Sequence, residues 1–125
     1  MFIQILKSKL HLATVTDSCV DYEGSMTISC DLMELSGIFP YEKVLCGNMA
    51  NGNRFETYAI PGDPKCGQII LNGATAHLGN KGDRLTIMTF SSLTKEEASN
   101  WTPKVLVLDE KNQIVRKRGI STPAL

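Results

Sequence analysis

Residues 43–60 read KVLCGNMANGNRFETYAI, and this stretch decides the fold class. Two runs with strand-like composition, residues 43–49 and 54–60, flank the pair Asn51-Gly52. Asn-Gly between such runs is the strongest short-range signal for a β-hairpin, because both residues tolerate the positive φ of a tight turn. The stretch therefore predicts two neighbouring antiparallel strands.

Strand patterns continue on both sides of this hairpin. Apolar and β-branched runs, punctuated by glycines, predict further strands at residues 2–6, 10–16, 68–71, 84–90, 104–108 and 113–116. In the run 10–16, alternation places His11, Ala13 and Val15 on one face, and Leu10, Leu12 and Thr14 on the other.

Two short helices carry recognisable ends. Asp31 is the expected N-cap of a helix over residues 32–36 that stops at Gly37. A capping box, residues 94–97, opens a second helix that must end before Pro103. Many short strands with two short helices favour a mainly β fold, a compact barrel.

The overall composition limits the classes of function. The chain has 125 residues, enough for one domain with a real core, and residues 119–125 are expected to form a loose tail. Lys and Arg number 13, as do Asp and Glu, so neither nucleic acid nor a membrane surface is an expected partner. No apolar run has the length of a membrane span and no secretory signal is visible, which predicts a cytoplasmic protein.

Cysteine and histidine usage argues against a metal site. The four cysteines show no Cys-x-x-Cys pairing, so we expect free thiols, most of them buried. Only His11 and His77 could add imidazole ligands, and they are too isolated to suggest a metal centre.

The stretch Tyr22-Glu23-Gly24-Ser25 offers the most specific chemistry. A serine hydroxyl that attacks the preceding glycine carbonyl turns the amide into an ester. Elimination from that ester leads to a pyruvoyl group, a ketone that condenses with an amine. Gly-Ser pairs are also common in turns, so this dipeptide needs support from its surroundings.

Several polar residues near strand ends are further candidates. They are Lys9, His11, Arg54, Thr57, Tyr58 and the segment Asn72-Gly73-Ala74. Taken singly, each is more typical of a solvated strand end or a hydrogen-bonded structural residue. A serine hydrolase built from Ser25 and a histidine is a weaker hypothesis, because almost any chain with two histidines permits it.

Four motifs occur in order and together carry a resemblance. They are Ser8-Lys9-Leu10-His11, Tyr22-Glu23-Gly24-Ser25, the stretch 51–60 and the stretch 72–77. With them, the chain from its first residues to about Gly119 resembles the aspartate 1-decarboxylase family, pyruvoyl-dependent enzymes that make β-alanine for pantothenate synthesis. The resemblance implies a double-psi β-barrel, a homotetramer with active sites between subunits, and a proenzyme that cleaves itself.

The resemblance also implies roles for individual residues. Cleavage would fall between Gly24 and Ser25, leaving a small β chain (residues 1–24) and a larger α chain (25–125) that begins with the pyruvoyl group made from Ser25. Thr57 would polarise the Gly24 carbonyl, and Tyr58 would donate the proton to the decarboxylated carbon. The remaining positions would bind or frame the substrate L-aspartate: Lys9 and Arg54 for its carboxylates, with His11, Tyr22, Asn72, Gly73 and Ala74 around the pocket.

Four positions depart from the family pattern. Leu12, Asp21, Gly47 and Thr75 stand where the family usually carries arginine, histidine, a larger apolar or aromatic residue, and alanine. The core set is intact, so the expected function is decarboxylation of L-aspartate, with cleavage either spontaneous or assisted by a maturation protein. The alternative is a non-catalytic or poorly processed β-barrel module of the same family.

Overall fold

Nine strands form one continuous mixed sheet in the computed structural model, which describes residues 1–120. The strands are β1 Phe2–Thr14, β2 Asp17–Cys19, β3 Ser25–Ser29, β4 Lys43–Asn48, β5 Arg54–Gly62, β6 Ile69–Asn72, β7 Arg84–Thr94, β8 Lys104–Leu108 and β9 Ile114–Arg118. Their order in the sheet is β2-β6-β3-β5-β4-β7-β1-β8-β9. The predicted mainly β fold with short helices is confirmed.

The predicted hairpin is formed by β4 and β5. The two strands are antiparallel, with Gly47 opposite Arg54 and Lys43 opposite Tyr58. Gly52 has a φ of 76°, and the Asn53 amide donates to the Asn51 side chain at 2.9 Å. The Asn-Gly pair thus turns the chain as expected.

The first strand differs from its prediction. The predicted strands 2–6 and 10–16 are a single strand, β1, that pairs with β7 and shifts register between His11 and Ala13. Leu12 lies in the left-handed region, with a φ of 63°, and forms the bulge. The strict alternation predicted for this run is wrong, because the extra residue brings Leu10 and Ala13 onto the same, fully buried side.

The core consists of buried side chains from the sheet and from α1. Its largest fully buried side chains come from both halves of the sequence: Leu10, Met26, Ile28, Leu32, Ile69, Leu71, Leu85, Ile87, Leu106 and Leu108. Parallel pairing of β3 with β5, and of β1 with β8, brings distant segments into this core. These long-range pairings set the positions of the strand ends that carry the polar candidates.

The helices are α1 Cys30–Ser36 and α2 Lys95–Ser99, with a 3-10 turn at Gly73–His77 between β6 and β7. Gly37, at a φ of 77°, ends α1, and Thr94 with Glu97 forms the capping box of α2, both as predicted. Asp31 is not the N-cap. Ser29 holds that position, and Asp31 lies in the first turn, where its carboxylate accepts the Ser29 hydroxyl at 2.5 Å.

Two further expectations concern the cysteines and the C-terminus. All four thiols are free, as predicted, but most are not buried: Cys46 is buried, Cys30 is partly buried, and Cys19 and Cys66 are exposed. Of the predicted loose tail, residues 121–125 lie outside the described residues, and Ile120 packs against the core. Within residues 1–120, no helix has the length and apolar character that crossing a membrane requires.

Candidate active site

Ser25 begins β3 and is only 1% exposed, whereas the residues just before it are exposed. Across the antiparallel β3–β6 pair it faces Asn72. The Asn72 Nδ2 atom donates to Ser25 Oγ at 3.0 Å and to Thr27 Oγ1 at 3.0 Å, and Ser25 Oγ donates to the Glu23 carbonyl at 3.2 Å. The serine oxygen is therefore fixed from two sides at the point where the exposed loop enters the sheet.

Gly73 lets that loop approach the end of β6. It has a φ of 67°, and a Cβ atom there would lie 2.7 Å from Gly24 Cα and 2.9 Å from the Tyr22 carbonyl oxygen. Both distances are shorter than real Cβ contacts, so only glycine fits. Gly24 itself is not left-handed and has open space on its Cβ side.

Thr75 lies beneath Ser25 in the 3-10 turn. Its hydroxyl donates to the Asn72 carbonyl at 2.8 Å, and the same oxygen is 3.5 Å from the Ser25 carbonyl oxygen. The residue is 7% exposed, so both contacts are screened from water. Ala74, by contrast, is exposed.

Two of the three predicted residues on β5, Thr57 and Tyr58, lie on the other side of β3. Met26 pairs with Ala59, so extending this parallel register by one residue places Tyr58 beside Ser25. The Tyr58 ring lies 6.3 Å from that of Tyr41. Thr57 is opposite Val44, and among residues 1–120 its hydroxyl makes no hydrogen bond to Gly24. The roles assigned to Thr57 and Tyr58 stay predictions.

A second cluster forms a groove of about 370 Å³ at the hairpin end of the sheet. Lys9, Arg54, Gly47 and Thr86 are among its lining residues. The strand order explains why these residues lie together. Thr86 on β7 lies between His11 on β1 and Gly47 on β4. Gly47 in turn is opposite Arg54 on β5. An ammonium and a guanidinium in one groove suit a ligand with carboxylates.

The two clusters are separate in one chain. The groove lining includes neither Ser25 nor Asn72. Along β5, Arg54 and Tyr58 are four residues apart, which is about 13 Å at the usual rise of a strand. The structure thus brings Ser25, Asn72 and Gly73 together and Lys9 and Arg54 together, but does not place all five around one cavity.

His11 is paired across the sheet with Thr86, one of the residues that line the groove. Its Nδ1 atom is buried and has no hydrogen-bond partner within residues 1–120. Burial lowers the pKa of His11 below its usual value, and the positive charges of Lys9, Arg118 and Arg84 lower it further. The imidazole is therefore neutral near pH 7 and does not add a third positive charge to the groove.

Arg84 lies beside Leu12, and it was not identified from the sequence. Its guanidinium donates to the carbonyl oxygens of Leu12 and Leu108, so a cation lies beside position 12 even though that residue is leucine. No local pattern marks Arg84, since both partners lie far away in the sequence. The described residues also contain no group of three or more histidine, cysteine, aspartate or glutamate side chains placed to hold a metal ion.

The sequence is similar to one family of known proteins over nearly its whole length. The family model described as Aspartate decarboxylase matches residues 1–115. The chain belongs to the aspartate decarboxylase family. The resemblance drawn from the four motifs is thereby confirmed.

Relatives in this family match over nearly their whole length. A protein named Aspartate 1-decarboxylase from Clostridium botulinum (strain Loch Maree) is 51% identical over 114 residues, which is 91% of this chain and 90% of that protein. Proteins of the same name from Caldicellulosiruptor bescii and Dehalococcoides mccartyi (strain 195) are 49% and 45% identical, covering 93% and 94% of this chain and 91% and 96% of their own. The family match therefore includes both clusters.

Proposed function

We propose that this chain is an aspartate 1-decarboxylase that removes the α-carboxylate of L-aspartate to give β-alanine and carbon dioxide, a step of pantothenate synthesis. Family membership over residues 1–115 supports the reaction. The observation that carries the proposal for this chain is the fixed Ser25 hydroxyl beside the exposed Gly24 junction, held by Asn72 at 3.0 Å.

Self-cleavage between Gly24 and Ser25 is the proposed route to the cofactor. The Ser25 oxygen attacks the Gly24 carbonyl, and the chain divides into the small β chain 1–24 and the α chain 25–125 of the single domain. The site fits a pyruvoyl group at residue 25, because the Thr75 hydroxyl lies 3.5 Å from the Ser25 carbonyl oxygen, which that group keeps. Such a group supplies an electron sink for a bound amino acid.

The other residues bind and position the substrate in this proposal. Lys9 and Arg54 hold the carboxylates of L-aspartate in the groove, and neutral His11 is the strand partner of Thr86 in its lining. Tyr58, beside Ser25 in the sheet register, donates the proton to the substrate Cα. Gly73, Ala74 and Tyr22 frame the Ser25 end, and Thr57 acts on the Gly24 carbonyl during maturation.

A homotetramer with sites between subunits completes the proposal. The separation of the Ser25 cluster from the groove within one chain supports it, since a neighbouring copy would supply the missing half. Phe39 and Tyr41 are 74% and 75% exposed and offer apolar surface for such contact, and the Tyr41 ring lies 6.3 Å from that of Tyr58. We place the enzyme in the cytoplasm, with a maturation protein as a further partner where cleavage is assisted.

The deciding experiment is intact-mass analysis of the purified protein. We expect fragments that correspond to 1–24 and 25–125, the larger one blocked at its amino end by a pyruvoyl group. Borohydride with isotopically labelled L-aspartate should then label the larger fragment, and Ser25→Ala should abolish both cleavage and labelling. A chain that consumes L-aspartate while its Gly24–Ser25 junction stays intact would overturn the proposal.

The non-catalytic alternative is tested by the same labelling. Of the four departures, Asp21 is exposed, Gly47 opens space at the groove, and position 12 has Arg84 as its cationic neighbour. None removes a group from the Ser25 cluster, which favours the enzyme. A well-folded protein that neither cleaves nor takes up label would support the inactive module.

A further inference from the structure

We propose that the Thr75 hydroxyl is a catalytic group for maturation, which stabilises negative charge on the Ser25 carbonyl oxygen. The inference rests on the proposed self-cleavage and goes beyond it. Thr75 belongs to the 3-10 turn Gly73–His77, directly after β6. Its two acceptors, the carbonyls of Asn72 and Ser25, are both at the cleavage cluster.

The charge arises in the step after ester formation. Gly24 is then acylated onto Ser25 Oγ. A water molecule acting as base takes the proton from Ser25 Cα, the electron pair forms the Cα–Cβ double bond, and the Cβ–Oγ bond breaks with its electrons leaving on the Gly24 carboxylate. Residue 25 becomes dehydroalanine, which a second water molecule hydrolyses to the ketone and ammonia. While the Cα proton departs, negative charge spreads onto the adjacent Ser25 carbonyl oxygen.

The distances match a group that acts mainly in the transition state. In the resting chain the Thr75 hydroxyl donates to Asn72 at 2.8 Å, and the Ser25 oxygen, at 3.5 Å, lies at the outer limit of hydrogen bonding. As the Ser25 oxygen becomes negative, it becomes the better acceptor, and a small rotation of the hydroxyl strengthens this contact. An interaction that is stronger in the transition state than in the ground state is the kind that accelerates a step.

Burial and the neighbouring amide strengthen the argument. Thr75 and Ser25 are 7% and 1% exposed, so a hydrogen bond to developing charge acts in a medium of low polarity. Asn72 Nδ2 is 3.0 Å from Ser25 Oγ, the oxygen that leaves with Gly24. The elimination thus has one donor at the leaving oxygen and one at the carbonyl oxygen where the charge spreads.

A purely structural role for Thr75 makes a different prediction. Its bond to Asn72, three residues earlier, also closes the 3-10 turn, and losing that bond alone would lower stability without favouring one chemical step. The rates of ester formation and of the following elimination must therefore be measured separately. Hydroxylamine distinguishes the ester from the uncut chain. It cleaves the ester rapidly and releases fragment 1–24 with a hydroxamate end, while it leaves the Gly24–Ser25 peptide bond intact.

The experiment follows uncut full-length precursor, purified cold and then warmed, by intact mass with and without hydroxylamine. For Thr75→Val we expect the ester to accumulate and its conversion to the pyruvoyl form to slow by about tenfold or more. Thr75→Ser should restore the rate, and Thr75→Ala should behave like the valine variant. Thr16→Val, which removes a hydroxyl bonded to the Ile69 carbonyl at 3.1 Å, is the matched control and should mature normally.

The outcomes separate this inference from the proposed function. If the wild-type chain never forms the ester or the fragments, the proposed self-cleavage itself fails. If the wild type matures and the folded valine and alanine variants eliminate at the same rate, or slow only in ester formation, the role of Thr75 is overturned. Thermal unfolding of each variant identifies any that are not folded, and the alanine variant keeps the test decisive if valine does not fit.

Discussion

The guanidinium of Arg84 donates two hydrogen bonds to the carbonyl oxygen of Leu12, at 3.0 and 2.9 Å. A third bond, at 3.0 Å, joins the same guanidinium to the Leu108 carbonyl. Leu12 is a non-glycine residue with positive φ, a conformation that costs energy unless its surroundings hold it. Arg84 therefore stabilises the bulge at Leu12, which separates Lys9 and His11 from buried Ala13 in β1.

We predict that Arg84→Met lowers the free energy of unfolding by about 2 kcal/mol, because it leaves two carbonyl oxygens without a charged donor. Arg84→Lys should recover only part of the loss, since an ammonium cannot reproduce the planar fork. Urea unfolding measures both. Arg116→Met, at an exposed position on β9, is the control and should change little. Equal stability of the Arg84 and Arg116 variants would contradict the role of this contact.

Gly73→Ala should reduce the rate of self-cleavage at least tenfold, because the new Cβ atom would collide with Gly24 Cα and push the loop away from Ser25. Intact mass over time measures this effect. Gly52→Ala is a close control, since Gly52 also has positive φ but a Cβ there meets nothing within 4 Å. It should lower stability by about 1 kcal/mol without slowing cleavage. A Gly73→Ala chain that matures at the wild-type rate would refute the packing argument.

Arg54→Met should raise the KM for L-aspartate by about tenfold or more, because it removes a charged partner of a substrate carboxylate. Self-cleavage should proceed normally, since the proposed role of Arg54 is to hold a substrate carboxylate and no substrate takes part in cleavage. Steady-state kinetics and intact mass give the two readouts. Lys111→Met, outside the groove lining, serves as the control. An unchanged KM would remove Arg54 from the binding site.

The lowered pKa of His11 predicts a specific loss of stability in mild acid. As pH falls below about 6.5, the unfolded chain takes up a proton that folded His11 resists, so folding weakens until the lowered pKa is also passed. His11→Gln should remove this component, leaving a smaller drop in urea midpoint between pH 7.5 and pH 5.5 than the wild type shows. His77→Gln, at an exposed position, should keep the wild-type slope. A steeper drop in the His11 variant would mean that the sign is wrong.

Local signals predicted the fold where the causes are local. The Asn51-Gly52 turn, the stop at Gly37 and the Thr94 capping box depend on residues within a few positions of one another, and all are present. The bulge at Leu12 was missed because Arg84, which holds it, is 72 residues away. Asp31 was misplaced because its carboxylate is satisfied by Ser29 and by the amide of Lys65, a residue from another loop.

In the candidate site, too, local sequence signals did not reveal contacts between distant residues. Chemistry alone singled out Gly24 and Ser25. Asn72 was a polar candidate at a strand end, but only the family resemblance grouped it with Ser25, because nothing in residues 20–30 indicates a partner 47 positions later. The same resemblance grouped Lys9 and Arg54 with Ser25. The fold explains how strand order brings the two cations together, and it separates them from Ser25 within one chain.

The separation of Ser25 from Arg54 within one protomer has a genetic consequence. A subunit that keeps Ser25 but carries Arg54→Met is expected to bind L-aspartate weakly, and a subunit that keeps Arg54 but carries Ser25→Ala is expected to be inactive. Co-expressed in one cell, they should regain part of the activity, since some mixed contacts unite the two intact halves. Two defective alleles would then complement each other within a single gene.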